Sequence, residues 1–339
     1  MAGEYAPDIV ADLELMVARG LPLWWLSPHT EISLLNLSEN ATFALSDPAA
    51  GRDLVLRVHR VGYSSAIEIR SELQWIEALR RDAVIDTAAP VRGRNGDWVQ
   101  TLDSSSGRPS RHAVAFERLP GREPLTGADT SRWFERLGEI TARMHVHARS
   151  WQPPAGFSRK RWDVDAMVGP RSFWGPWQAG AGLDSRAIAV IDEALGEIRG
   201  RVVRFGDAPS RFGLVHADLR LANLLVDGPH LRIIDFDDCG FSWFVYDFAS
   251  AVSFIEHEPI LPGLLQAWSA GYRRAAPLPA EDAAEIPTFV VLRRVMLTAW
   301  LASHAEVPFA REIGAAYTAG TVSLARDFLQ GRFLTHPLD

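Results

Sequence analysis

The sequence has 339 residues, of which 47% are hydrophobic and 23% charged, and it carries a net charge of −7. This length and composition are typical of a soluble globular protein with one large domain or two lobes. The negative charge argues against a nucleic-acid or membrane-surface partner, because both require a positive field. A single cysteine, Cys239, excludes an internal disulfide and fits a reducing compartment. The N-terminus lacks the pattern of a signal peptide, so we expect a cytoplasmic protein.

The first third of the chain shows the alternation of polar and apolar residues that is typical of β-strands. One helix interrupts it, with Ser64 or Ser65 as its N-cap. Its apolar positions include Ile67, Leu73 and Leu79. In chain order, the expected elements are two strands within 32–47, a strand over 52–60, the helix over 64–81, and strands over 97–102 and 111–119.

After a Pro/Gly-rich connector at 120–130 the pattern becomes helical. Helices are expected over 131–150, over 184–203, and in most of the chain after residue 246. The longest apolar run, 289–304, contains Arg293 and Arg294, and we interpret it as a buried amphipathic helix and not as a membrane span.

These elements predict an α+β fold of two lobes. The N-terminal lobe, residues 1–118, would hold a small antiparallel sheet with one helix and bind a nucleotide. The C-terminal lobe, residues 119–339, would be mostly α-helical and carry the catalytic and acceptor-binding residues.

Carboxylates and an amide are concentrated in the segment LVHADLRLANLLVDGPHLRIIDFDDCG, residues 214–240. Asp218 is followed by Asn223, and Asp235 comes twelve residues after Asn223. Two short apolar strands around the turn DGPH would bring these three side chains together. Nearby carboxylates repel each other unless a cation or a proton lies among them. Oxygen ligands of this kind suit Mg²⁺, which fills its shell with water and substrate phosphates.

This set of residue types is what phosphoryl transfer requires. One Asp accepts the proton of the attacking hydroxyl, while an Asn and a second Asp hold the metal that bridges the phosphates. The spacing His216-x-Asp218-x4-Asn223, followed by a strand that ends in Asp235, matches the catalytic loop and metal-binding Asp of protein kinases.

The chain resembles the aminoglycoside phosphotransferase and choline kinase superfamily, and within it the branch of the bacterial stress response kinase A. The likeness lies in LVHADLRLANLLV and RIIDFDDCGFSWFVYDFA, in the helix RLGEITARMHVHA, in the Trp-rich RWDVDAMVGPRSFWGPW and in the late helix LRRVMLTAWLASH. It implies a protein-kinase-like bilobal fold, ATP and Mg²⁺ as cofactors, Asp218 as catalytic base, and Asn223 and Asp235 as Mg²⁺ ligands.

The same resemblance assigns a phosphate-holding pair to the N-terminal lobe. Arg57, in the third strand, occupies the position of the usual Lys, and Glu72, in the helix, is its expected partner. Arg keeps the charge and offers a bidentate fork, although its geometry differs from that of Lys.

Two other segments of this lobe are expected to contact the nucleotide. The turn LSENATF, residues 37–43, contains no glycine, so the backbone N–H groups of Asn40 and Ala41 would cradle phosphate. In FERLPG, Glu117 and Leu119 would present hinge groups to adenine.

Structural interpretations compete with functional ones at several other residues. Asp237 and Asp238 either support the metal site or belong to a turn. His216 is expected to brace the catalytic loop, and Asp247 to anchor it. His145 and His147 face different directions on a helix, which argues against a shared metal. Cys239 is interpreted as buried filler.

The acceptor is left open by the sequence. Trp162, Phe173, Trp174 and Trp177 either line an acceptor pocket or pack a loop. The first hypothesis is an ATP- and Mg²⁺-dependent phosphotransferase acting on a hydroxyl, either of a small amine or sugar-like metabolite or of a protein Ser/Thr. The alternative is a nucleotide-binding pseudokinase with a regulatory role. The oligomeric state is not predicted.

Overall fold

The computed structural model describes residues 7–38, 40–127 and 129–335. By its internal contacts the chain forms two compact units. The first unit spans Met1–Pro120 and also includes Pro153–Arg159. The second unit comprises Gly121–Gln152 and Lys160–Asp339. The mixed α+β class, with a β-rich first unit and a helical second unit, is confirmed.

The first unit is built on a six-stranded antiparallel sheet with the strand order β1-β2-β3-β6-β4, in which β5 also pairs with β6. Its elements are α1 (Pro7–Gly20), β1 (Glu31–Leu37), β2 (Asn40–Asp47), β3 (Arg52–His59), α2 (Ala66–Arg81), β4 (Pro90–Val91), β5 (Gln100–Leu102) and β6 (Arg111–Glu117). The central strand β3 pairs along its whole length with β2 on one side and with β6 on the other.

Helix α2 begins where the sequence predicts. Ser65 is its N-cap, and Ser65 and Glu68 form a reciprocal capping box that satisfies two backbone N–H groups of the first turn. Leu73 and Leu79 are fully buried, as expected, whereas Ile67 is 57% exposed. The prediction for Ile67 is wrong because this position lies in the first turn, on the side of the helix that faces solvent.

Helix α1 has no counterpart among the elements that the sequence predicts. Leu13, Met16 and Val17 on this helix join one hydrophobic cluster with Phe43 and Leu56 of the sheet. Burial of these side chains stabilises the first unit.

The second unit is mostly helical. Its elements are α3 (Thr130–Ser150), β7 (Lys160–Arg161), α4 (Val164–Val168), α5 (Ser185–Phe205), β8 (Phe212–Val215), β9 (Leu224–Asp227), β10 (His230–Ile233), β11 (Gly240–Trp243), α6 (Tyr246–Ala251), α7 (Leu261–Ala275), α8 (Ala280–Ser303) and α9 (Pro308–Leu329). Strands β9 and β10 form the antiparallel hairpin that the sequence predicts, and β11 pairs with β8 and β7.

Helix α8 is buried on nearly every side in its second half, so the expectation of an amphipathic helix is wrong. Its two arginines, Arg293 and Arg294, are 4% and 1% exposed. By length and composition this helix qualifies as a candidate bilayer span, but 78% of its most apolar window is buried inside the protein. That burial is typical of the core helix of a globular unit, and the helix is weak evidence for a membrane span.

Helices α3 and α7 approach so closely that two glycines are required. A Cβ atom on Gly138 would overlap the backbone of Trp268, and one on Gly271 would overlap the carbonyl oxygen of Glu135. Because the backbone itself lies in the way, the helices would have to separate. Such packing fixes the position of Tyr272, which contacts α3 through His145.

We predict that Gly271→Ala destabilises the protein by about 1–3 kcal/mol, because the added methyl group overpacks the helix contact. The measurement is the free energy of unfolding in urea. Gly196→Ala is the matched control, since Gly196 is an exposed helical position with open space around its Cβ. This control should stabilise by about 0.5–1 kcal/mol. Equal unfolding free energies for wild type and Gly271→Ala would contradict the close contact.

Candidate active site

The segment between β8 and β9 carries Asp218 and Asn223. A short 3₁₀ turn over Leu221–Asn223 precedes β9. The Asn223 amide Nδ2 donates to the Asp218 carbonyl oxygen at 2.8 Å and to Asp218 Oδ2 at 2.7 Å. These two bonds tie the predicted base to the predicted metal ligand. They also orient the Asn223 amide, because its N–H groups are directed to Asp218 and its oxygen is the remaining acceptor.

Asp235 follows β10 and lies at the same end of the hairpin. Ile233 pairs with Leu224, and the backbone N–H of Ile234 donates to the Asn223 carbonyl oxygen at 3.0 Å. Asp235 itself is exposed and adopts a positive φ of 63°. The structure therefore brings Asp218, Asn223 and Asp235 together, as the hairpin prediction requires.

Two arginines hold the Asp218 carboxylate. Arg293 Nη2 lies 2.7 Å from Oδ1, and Arg220 Nε lies 3.2 Å from Oδ2. Burial alone would raise the pKa of the Asp218 carboxyl, but the charges of Arg220 and Arg293, with His216, hold the pKa below its usual range. The carboxylate is therefore ionised at neutral pH, which a proton acceptor needs.

His216 braces the catalytic segment, as predicted. Its Nδ1 accepts a hydrogen bond from the Asp218 backbone N–H at 3.2 Å. With Nδ1 as acceptor, Nε2 is the ring nitrogen that donates toward the Ile234 carbonyl oxygen, which lies 3.3 Å away. The ring also packs on Phe236, with 4.4 Å between the centroids. His216 thereby connects the segment of Asp218 to the segment of Asp235.

Asp247, in α6, anchors the backbone before Asp218. Its carboxylate accepts from the Ala217 N–H at 2.7 Å and from the His216 N–H at 3.2 Å. It also lies 2.9 Å from His145 Nε2, and His145 Nδ1 lies 3.0 Å from the Tyr272 hydroxyl. Burial lowers the pKa of His145, and the Asp247 hydrogen bond offsets this only in part, so the ring is neutral.

His145 and His147 lie in different surroundings, the first buried and the second half-buried. His145 is enclosed by Asp247 and Tyr272, whereas His147 stacks on Trp151 with 6.0 Å between the rings. The two side chains have different partners, as their spacing on α3 predicts. Cys239 is buried, as predicted.

Asp238 connects the site to β7 and the Trp-rich loop. Its carboxylate forms an ion pair with Lys160 Nζ at 3.2 Å, and its carbonyl oxygen accepts from the Trp162 indole N–H at 2.7 Å. Its neighbour Asp237 donates its backbone N–H toward Asp235 Oδ1 at 3.4 Å, at the long end of hydrogen bonding.

The aromatic residues of the loop have mixed roles. Trp162 and Trp177 are buried, whereas Phe173 is exposed and Trp174 is half-buried. Phe173 packs edge-on against Trp162 at 4.9 Å. Buried Trp162 and Trp177 thus support the packing interpretation, and Phe173 and Trp174 have surface that a ligand can reach.

The donor set at this hairpin fits a hard divalent cation. Asn223 would offer its amide oxygen and Asp235 its carboxylate, the oxygen ligands that Mg²⁺ takes from proteins. Within residues 7–38, 40–127 and 129–335, no group of three or more His, Cys, Asp or Glu side chains is arranged to hold a metal. A site with two protein ligands fits a cation that completes its shell with phosphate and water. The bound cation would neutralise charge on the phosphates.

In the first unit, Arg57 contacts Glu72 as predicted. Arg57 Nη2 lies 2.7 Å from Oε1 and 2.6 Å from Oε2 of Glu72, and both side chains are buried. One nitrogen thus binds both oxygens, instead of the two-nitrogen fork. The Arg57 guanidinium also lies over the Phe116 ring at 5.4 Å. The pair is fixed in position, and its contact with phosphate stays a prediction.

The predicted phosphate turn is shorter than expected. Asn40 and Ala41 belong to β2, where Ala41 pairs with Leu37 and with Val58. Asn40 instead accepts from the Arg60 N–H through its side-chain oxygen at 3.2 Å. The placement of both residues in a loop is therefore wrong, because they lie in a strand, and their contact with phosphate stays a prediction. Glu39 lies outside the described residues.

The two residues predicted to form the hinge, Glu117 and Leu119, lie at the end of β6 and just after it. The Glu117 backbone N–H donates to the Ala89 carbonyl oxygen at 2.9 Å. This N–H is therefore engaged in holding β6 to its neighbour. Leu119 is half-buried two residues later. Adenine binding by these residues stays a prediction.

Arg220 and Arg293 are the site residues that sequence reasoning missed. Arg220 lies within the motif, two residues after Asp218, so its position was visible. Arg293 was noted only as a charge that interrupts an apolar run. A buried charge in such a run needs a partner, and that requirement was the available signal.

Comparisons with known proteins show the family to which this chain belongs. The model of the phosphotransferase enzyme family matches residues 32–278. The structure of a microcompartment-associated aminopropanol kinase is 41% identical, with a TM-score of 0.87, and the match covers 95% of this chain and 99% of that chain. The chain therefore belongs to the phosphotransferase enzyme family.

Two further relatives are more distant. Amicoumacin kinase of Bacillus subtilis (strain 168) is 27% identical over 214 residues, which cover 61% of this chain and 59% of that kinase. The matched part thus spans less than two thirds of this relative. A spectinomycin phosphotransferase, solved with ADP and its substrate, is 12% identical with a TM-score of 0.63 over 94% of this chain and 98% of that chain, which shows the shared fold.

These findings confirm the resemblance to aminoglycoside phosphotransferases and choline kinases, and the prediction of a phosphotransferase that uses a hydroxyl acceptor. They support a small metabolite as the acceptor, and they support neither a protein Ser/Thr acceptor nor a pseudokinase. An amicoumacin kinase solved with AMP-PNP and Ca²⁺ is 22% identical, with a TM-score of 0.78 over 97% of each chain, which shows the shared fold. The assignment to the stress-kinase branch stays a prediction.

Proposed function

We propose that the protein is an ATP- and Mg²⁺-dependent kinase that phosphorylates the hydroxyl group of a small amino alcohol. The observation that carries this proposal is the site at one end of the β9–β10 hairpin, where Asp218, Asn223 and Asp235 meet. The 41% identity to an aminopropanol kinase over 95% of the chain supports the acceptor class.

Asp218 is the proton acceptor in this proposal. A carboxylate has about four lone-pair positions. In the part of the chain that the structure describes, Arg220 and Asn223 occupy Oδ2, and Arg293 occupies one position of Oδ1. The second position of Oδ1 is the one that an acceptor hydroxyl would use. The proton passes from that hydroxyl to Oδ1 as the hydroxyl oxygen bonds to the γ-phosphorus, and the bond from this phosphorus to the oxygen bridging the β- and γ-phosphates breaks, so that ADP leaves.

The charges around Asp218 determine where an ammonium group can lie. With Arg220 and Arg293 on either side, the surroundings of Asp218 are positive and disfavour a second cation. Exposed Asp235 is assigned to the metal in this proposal, so Asp238 is the candidate carboxylate for the ammonium group. The Asp238 side chain is 21% exposed, whereas Glu256 is fully buried with Arg294. We propose that the ammonium group binds on the Asp238 side.

Electrostatic effects on Tyr246 support the proximity of the two carboxylates. Burial is the main cause that raises the pKa of the Tyr246 phenol to about 12, and the charges of Asp238 and Asp218 act in the same direction. Both carboxylates therefore lie near the same side chain.

Turnover tests the function directly. With ATP and Mg²⁺, wild type should phosphorylate aminopropanol with a higher kcat/KM than choline or an aminoglycoside. Asp218→Asn should lower kcat by about 1,000-fold, because the proton acceptor is lost, while the nucleotide Kd stays within about twofold. The measurements are a coupled ADP assay and calorimetry. Full activity of Asp218→Asn would contradict its role, and preference for another acceptor would contradict the substrate class.

The ammonium side is tested by Asp238→Asn. Loss of the carboxylate should raise the KM for aminopropanol by about tenfold, equivalent to about 1.4 kcal/mol. The KM for propanediol, which lacks the ammonium group, should change by less than about twofold.

Lys160→Gln is the matched control for this change, since it removes the same ion pair and keeps the Asp238 carboxylate. It should not raise the KM for aminopropanol. An equal effect of Asp238→Asn on the amine and the diol, or the same effect from Lys160→Gln, would show that Asp238 has only a structural role.

A further inference from the structure

Arg293 lies in the interior of α8 and reaches Asp218 across 75 residues of sequence. Among the residues that the structure describes, four of its five N–H donors have acceptors. Nη2 donates to Asp218 Oδ1 at 2.7 Å, and Nη1 donates to the Tyr246 hydroxyl at 3.0 Å and the Ala217 carbonyl oxygen at 3.3 Å. Nε donates to Ser253 Oγ at 3.2 Å. The guanidinium is therefore fixed in plane and in rotation.

We propose that Arg293 is the positioning residue of the phosphotransfer reaction, which holds the Asp218 carboxylate so that Oδ1 faces the acceptor hydroxyl. The inference rests on the proposed function, in which Asp218 takes the proton. In this role the buried Arg293 contributes to the rate of the reaction as well as to the stability of the fold.

The two arginines that contact Asp218 are not equivalent. The side chain of Arg220 is 34% exposed and belongs to the same segment as Asp218, so the two can move together. The side chain of Arg293 is 4% exposed and belongs to a separate helix, so its position does not depend on that of the Asp218 segment. Its contact with the Ala217 carbonyl oxygen holds the backbone before Asp218 from the same point.

Position matters here because the segment is strained. Ala217 adopts a positive φ of 67°, a conformation that non-glycine residues rarely adopt and that surrounding contacts must maintain. The Asp218 carboxylate must also stay close to the phosphates, although both are anionic and repel each other. A fixed cation on Oδ1 offsets that repulsion, whereas an exposed cation is screened by solvent.

Arg294 provides an internal comparison on the same helix. It is equally buried, forms an ion pair with Glu256 at 2.7 Å, and bonds to Thr321 and the Tyr317 carbonyl oxygen of α9. All of these contacts lie outside the Asp218 segment. Arg294 therefore has the structural role that Arg293 would have if the proposal were wrong.

The first test is Arg293→Lys. Lysine keeps the charge but cannot bond Asp218, Tyr246 and Ser253 together, so the carboxylate would lose its fixed orientation. Misplacement by about 1 Å can reduce rates by about 100-fold. We expect kcat for aminopropanol to fall by about that factor, while the KM values for ATP and acceptor stay within about threefold. Arg294→Lys should change the unfolding midpoint but leave kcat within about twofold.

A double-mutant cycle separates positioning from stability. In the Asp218→Asn background, Arg293→Lys should lower the residual kcat by less than about twofold, because the base on which it acts is absent. Tyr246→Phe is a mild second variant that removes one acceptor of the guanidinium. It should lower kcat several-fold without a change in KM, and it keeps the test available if Arg293→Lys does not fold.

The outcomes are distinct. Wild-type turnover with unchanged kcat in Arg293→Lys or in Tyr246→Phe would overturn this inference and leave the proposed function intact. A full additional loss from Arg293→Lys in the Asp218→Asn background would overturn it as well. Absence of wild-type turnover would overturn both the function and the inference.

Discussion

The buried carboxylate of Asp247 is the interaction on which the site depends. It receives two consecutive backbone N–H groups, of His216 and Ala217, and so holds the chain in the strained conformation that presents Asp218. Its third contact is His145 of α3, and the other ring nitrogen of His145 contacts the hydroxyl of Tyr272 of α7. The close helix packing at Gly271 and Gly138 is therefore connected, through three side chains, to the position of the catalytic base. Without this anchor the strain at Ala217 would relax.

A second constraint is the hairpin. Because β9 and β10 pair in one register, Asn223, directly before β9, lies opposite Ile234, directly after β10. The hydrogen bond from Ile234 to Asn223 extends the pairing to the site itself. A one-residue slip would invert the side chains and separate Asn223 from Asp235. The backbone bond from Ile234 to Asn223 and the side-chain bonds from Asn223 to Asp218 thus connect the two segments of the site, and the charge of Asp218 is compensated by Arg220 and Arg293.

The parts of the site that are local in sequence could be predicted. Asp218, Asn223 and Asp235 lie within one motif of short strands, and the Arg57–Glu72 contact follows from a strand and the next helix. These predictions succeed because alternation, capping and spacing act over a few residues.

What could not be predicted depends on tertiary packing. Arg293 meets Asp218 only because α8 lies against the catalytic segment, and no local pattern shows which of two adjacent arginines will do so. Ile67 is exposed although it fits the apolar pattern, since only the fold decides which face of α2 is covered. Asn40 and Ala41 are in β2, because pairing with β3 extends the strand through a segment that resembles a turn.

The central claim is that the hairpin site transfers phosphate to a hydroxyl group of an amino alcohol. The most direct measurement is ³¹P NMR of the products formed by the wild-type protein from ATP, Mg²⁺ and aminopropanol. The account predicts a single phosphate monoester resonance that grows in equal amount with ADP. Inorganic phosphate alone, or a phosphoramidate from transfer to nitrogen, would contradict it.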